Sequence, residues 1–66
     1  MSMENRTYYF PNNKFGRHIL SRILRYANGP ITSIRKVADT LAVSIVLEKR
    51  EIIKVERILR RYNLID

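Results

Sequence analysis

Residues 42–47, AVSIVL, are the stretch on which the fold turns. They are rich in β-branched side chains, which suit a short strand, a turn, or a helix that simply carries on. A helical pattern borders them on both sides. We therefore read Ala42–Leu47 as the turn that joins two helices.

Downstream, residues 48–62 (EKREIIKVERILRRY) repeat at a helical period. Ile52, Val55, Ile58, Leu59 and Tyr62 share one side, and Lys49, Arg50, Lys54, Arg57, Arg60 and Arg61 fan across the other. Glu48 and Glu51 fall in the first turn and Arg60 and Arg61 in the last, matching the helix dipole. Only Glu56 interrupts the positive flank, a bias stronger than an ordinary solvated surface needs. Ile53 is stranded among the basic groups. Asn63 is placed for a left-handed turn that folds Leu64 back on the helix.

Upstream, Thr32 or Ser33 caps a second helix reaching about Leu41, with Ile34, Val37, Ala38 and Leu41 spaced as one buried face. No Gly or Pro follows Ile31, and Ile34, Ala38, Leu41, Ile45, Ile52, Val55, Leu59 and Tyr62 fall on a heptad-like register broken only by Glu48. A continuous helix paired with a second chain thus stays open beside the turn. Asn28-Gly29-Pro30 ends a first helix that starts near the cap Asn13. Its apolar half is Phe15, Ile19, Leu20, Ile23, Leu24, Tyr26 and Ala27. Its polar half, Lys14, Arg17, His18, Ser21, Arg22 and Arg25, has no acid. From Arg6 through Lys36, a span that adds Arg35, there are seven basic residues and no acidic one.

Residues 1–12 hold no helical period and read as an N-terminal arm before a helical domain over 13–66. Tyr8, Tyr9 and Phe10 are too apolar for a solvated tail: they cap the core, or they lie on a partner and stack on bases or fill a protein pocket. The expected fold class is all-α, a small three-helix domain with this arm.

The chain has 66 residues, net charge +7 and no cysteine. A domain this small buries only about 60% of the surface its unfolded chain exposes, and neither disulfides nor thiolate metal sites support it. Nine of the 13 basic residues are Arg, which favours bidentate contact with phosphate. A thermophilic ion-pair network would predict balanced charge instead. No apolar run approaches a membrane span and no signal-peptide order opens the chain. The expected location is intracellular, in the cytoplasm.

Residues 29–44 (GPITSIRKVADTLAVS) resemble the opening of a helix-turn-helix or truncated winged-helix domain. Val37, Ala38, Leu41, Val43 and Ser44 match its second-helix pattern, with Ala42 where that family has Gly at the turn. Residues 55–65 (VERILRRYNLI) are similar to its third-helix ending, with Asn63 in place of Gly. The resemblance implies a third helix on DNA. The chain departs from that family in two ways: the wider spacing between Ser44 and Leu64-Ile65 implies a longer turn or one extra turn of the third helix, and the sequence ending at Asp66 leaves no room for a β-wing. Ile45, Val46 and Leu47 stand where the family places groove-reading polar groups.

No nucleophile–base pair, paired acids or Gly-rich phosphate loop is present, so the sequence argues against an enzyme and implies no cofactor or metal. The reading is a basic nucleic-acid-binding protein, foremost a DNA-binding regulator or architectural factor, using Lys14, Arg17, Arg22, Arg25, Arg35, Lys36, Lys49, Arg50, Lys54, Arg57, Arg60 and Arg61. The alternatives are an RNA-binding accessory subunit of a ribosome-like or polymerase-like assembly, and a protein-interaction module or helical homodimer. Tyr8, Tyr9, Phe10 and Ile53 are the expected partner contacts.

Overall fold

The computed structural model describes residues 3–65. Strand β1 (Met3–Pro11) leads into helix α1 (Lys14–Leu24). Strands β2 (Ile31–Val37) and β3 (Thr40–Glu48) form a hairpin, and helix α2 (Lys49–Arg61) follows at once. The sheet is antiparallel in both pairings, with order β1-β3-β2. Strands β1 and β2 are therefore parallel to each other with β3 between them, and α1 is the crossover of a split βαβ unit.

This α+β architecture overturns the all-α, three-helix expectation and the helix-turn-helix resemblance with it. Residues 42–47 are neither turn nor helix: they lie in the central strand. Leu41, Val43, Ile45 and Leu47 are all buried, and Thr40, Ala42, Ser44 and Val46 alternate with them on the other face. A strand's period of two, filled by β-branched residues, wins over the helical continuation. The expected second helix is strand β2 and the hairpin turn. Ile34 and Val37, placed on one helical face by their spacing, point to opposite faces of a strand and are both more than half exposed. The continuous heptad helix fails for the same reason.

The hairpin turn needs neither Gly nor Asn. Val37 pairs with Thr40, and Ala38 takes φ 55° between them, a left-handed conformation that costs an L-residue about 1–2 kcal/mol and normally selects Gly in a two-residue hairpin. Ala38→Gly should therefore raise stability by about 0.5–1 kcal/mol, read by urea unfolding, because relief of strain outweighs the added freedom of the unfolded chain.

Residues 3–11, expected as an arm, form an edge strand of the sheet. Tyr8 and Phe10 are buried and Tyr9 points to the opposite face, so the first two are core residues rather than partner contacts. The core joins them to Ile19 and Ile23 of α1, to the inward residues of β3, and to Ile52, Val55 and Leu59 of α2. Helix α1 rests so close to the end of β1 that a Cβ on Gly16 would lie 1.8 Å from the Pro11 carbonyl oxygen. Asn13 caps this helix through its side chain, which accepts from the Gly16 N–H at 2.9 Å. Gly29 is likewise needed for a close approach, to the Val46 carbonyl, and not for a left-handed helix end. Asn63 does turn left-handed, φ 59°, and the Leu64 N–H returns to the Leu59 carbonyl.

Glu51 is the one buried charged residue among those described. Its carboxylate accepts from the Glu48 N–H at 2.8 Å and the Asn28 N–H at 2.9 Å. One side chain thus caps the start of α2 and ties it to the connection after α1.

Tyr8 donates to Glu56 at 2.8 Å, beside Arg6 and Arg60. Burial, and then the hydrogen bond to Glu56, push the Tyr8 hydroxyl well above the usual tyrosine range. A group whose pKa is raised on folding stabilises fully below its unfolded value, about 10, and that stability is lost as pH rises through the folded value. Alkaline unfolding above about pH 10 should be blunted in Tyr8→Phe, measured as stability against pH.

Candidate nucleic-acid interface

Helices α1 and α2 pack side by side and antiparallel. Phe15 at the start of α1 meets Tyr62 at the end of α2, with ring centroids 5.8 Å apart in an edge-to-face contact. Asn28, beyond the end of α1, meets Glu51 in the first turn of α2. Because both helices give their apolar faces to the same sheet, their polar faces form one outer layer.

That layer carries the chain's charge excess. Helix α1 with its cap Arg25 contributes four basic residues and no acid. Helix α2 contributes six against Glu51, which is buried, and Glu56, which is bonded to Tyr8. The strands and their turn are balanced, with Arg6, Arg35 and Lys36 against Glu4, Asp39 and Glu48. Among the described residues Lys14, Arg17, Arg22, Arg25, Lys49, Lys54, Arg57 and Arg61 make no ion pair. Arg50 is paired with Glu48 at 3.1 Å and Arg60 with Glu56 at 3.6 Å. Two guanidinium groups are held by neutral partners, Arg22 by the Tyr62 hydroxyl at 2.9 Å and Arg17 by the Asn12 side chain at 3.0 Å. Such contacts orient the group without cancelling its charge.

The structure thus gathers ten of the twelve expected basic site residues on one side. It sets the other two apart. Arg35 and Lys36 are consecutive on edge strand β2, so Arg35 points to the sheet face that carries no helix, and Lys36 lies on the helix side at the sheet's margin.

Apolar groups interrupt the cationic layer. Ile53 is 58% exposed between Lys49, Arg50, Lys54 and Arg57, as its place in the sequence implied. Phe15 and Tyr26, expected in the apolar half of the first helix, are 49% and 44% exposed. Tyr26 joins Lys54, Arg57 and Ile58 around a shallow hollow of about 250 Å³ between α2 and the segment that follows α1. Spacing alone could not have revealed this, because which flank of an apolar half is covered depends on where the neighbouring helix lies.

No group of three or more His, Cys, Asp or Glu side chains comes together among the described residues, and no described helix is long and apolar enough to cross a membrane. Comparison with family models, with curated proteins and with solved structures finds no match for this chain.

Proposed function

We propose that this is a small DNA-binding protein of the architectural kind, which grips the duplex backbone with the outer layer of α1 and α2. The observation that carries the reading is the segregation of charge: a balanced sheet under two helices that hold the entire basic excess. Helix α2, at 13 residues, spans about 20 Å. That length of duplex presents about six phosphates per strand, comparable to the eight helical cations that make no ion pair among the described residues. Arg and Lys on a broad two-helix surface suit phosphate contact. With no separate recognition helix to enter a groove, sequence-tolerant binding is the expected mode. A cytoplasmic location is part of this proposal.

A second reading, an RNA-binding accessory subunit of a nucleoprotein assembly, draws on Ile53, Phe15 and Tyr26, which offer a protein neighbour apolar footholds within the basic layer. Titration of duplex DNA and of structured RNA at several salt concentrations tests both. For DNA binding the log-log slope should be about −0.9 per phosphate contact, with duplex DNA preferred. Preference for structured RNA would favour the second reading, and salt-independent binding to both polymers would remove the phosphate grip altogether.

A further inference from the structure

The face of the sheet away from the helices contains a shallow trough of about 580 Å³, whose lining includes Thr7, Tyr9, Arg35, Thr40, Ala42 and Ser44. Its shape follows from the register. Tyr9 of β1 pairs with Ala42 of β3, and Ala42 pairs in turn with Arg35 of β2. The three residues form one row across the sheet, with the smallest side chain in the middle and a ring and a guanidinium on the flanks. The flanking strands are two strand spacings apart, about 9.5 Å. A flat group held between two surfaces at van der Waals contact needs about 7–8 Å. The slot over Ala42 is thus wide enough for one planar ring.

The chemistry of the slot selects among planar groups. Tyr9 is 59% exposed, and its ring is available for stacking. Arg35 is in no ion pair among the described residues, and a guanidinium both stacks on a π-face and pairs with phosphate. Among the described residues no acid lines the trough. One row along, the Thr7 and Ser44 hydroxyls lie 2.8 Å apart, able to donate to or accept from whatever edge a base presents. Residues Thr40, Ala42 and Ser44 on the central strand are small or polar, so the face lacks the continuous apolar surface that a packed second sheet requires.

We propose that this trough binds an unpaired nucleobase of single-stranded nucleic acid, stacked between Tyr9 and Arg35 over Ala42, with Arg35 also meeting an adjacent phosphate. The site is separate from the helical layer and does not depend on it. Stacking of this kind is sequence-tolerant, because every base has a π-face. The chain would then hold duplex phosphates on one side and a single strand on the other.

The test is an NMR titration of the full chain with a short single-stranded DNA of mixed sequence, at a salt concentration that screens the helical layer. Shifts should cluster at Tyr9, Arg35 and Ala42. Tyr9→Ala should weaken binding by about 5- to 150-fold, the range expected for one stacked base, Tyr9→Phe should restore it, and Arg35→Gln should weaken it in the same assay. Shifts confined to α1 and α2 would overturn the proposal, as would unchanged affinity in Tyr9→Ala or a loss in Tyr9→Phe equal to that in Tyr9→Ala. The helical reading fails separately: if duplex binding is absent while the sheet shifts persist, the architectural function falls and the trough stands.

Discussion

Phe10→Ala should leave the domain close to unfolded at room temperature. Phe10 is fully buried, pairs with Leu41 in the register of β1 on β3, and belongs to the core cluster to which both helices contribute. Truncating a buried Phe costs about 3–5 kcal/mol, whereas a chain of this length has about 3–10 kcal/mol of stability in all. The loss should be concentrated in β1, because an edge strand is hydrogen-bonded on one side only and nothing else holds its C-terminal half as deeply. Urea unfolding followed by circular dichroism measures it. Tyr9→Ala, one residue away and facing outward, should change stability by no more than about 0.5 kcal/mol. Similar costs at both positions would mean that β1 does not sit in this register.

The second large effect concerns binding. Arg57 and Arg61 lie one turn apart on the exposed side of α2, and neither is in an ion pair among the described residues. Replacing both with Gln should make the salt dependence of duplex binding shallower by about two log-log units, so that a four-fold rise in salt costs about twelve-fold less affinity than in the parent. Melting should hardly move, since exposed charges add little to stability. Replacing Arg35 and Lys36 together with Gln removes the same formal charge from edge strand β2, outside the two helices. It should leave the duplex slope unchanged, and equal slopes in the two double variants would mean that the protein attracts DNA through net charge alone rather than through the helical layer.

Both helices were legible in the sequence because their apolar and charged residues separate at a period that little else produces. Ile52, Val55 and Leu59 are buried where that period puts them. The basic layer was legible for a related reason: long charged side chains stay at the surface, so ten cations on two amphipathic helices had to share the outer side. The strands were hidden by coincidence. Ile34, Val37, Ala38 and Leu41 happen to stand three, four and seven residues apart, while the true alternation of Leu41, Val43, Ile45 and Leu47 is blurred by Val46 on the opposite face. A hairpin turned by Ala38-Asp39 gave no Gly or Asn to announce it. Without the sheet, Arg35 and Lys36 could not be told from the helical cations, and nothing in the linear order set Tyr9, Ala42 and Arg35 in one row.

The order β1-β3-β2 also dictates how the chain must assemble in time. Partners across the β2–β3 hairpin are 3 to 14 residues apart, from Val37 with Thr40 to Ile31 with Ile45, whereas partners across β1–β3 are 29 to 45 residues apart, from Pro11 with Thr40 to Met3 with Glu48. Closing the longer loops costs more chain entropy, and contacts between distant residues form more slowly. The hairpin can therefore form early and alone. The first strand has no partner until the fourth element of the chain exists, so a nascent chain leaving the ribosome carries Tyr8 and Phe10 unpaired until Val43 and Leu41 have emerged. Its N-terminal half waits for its C-terminal half, and the last strand made becomes the centre of the finished sheet.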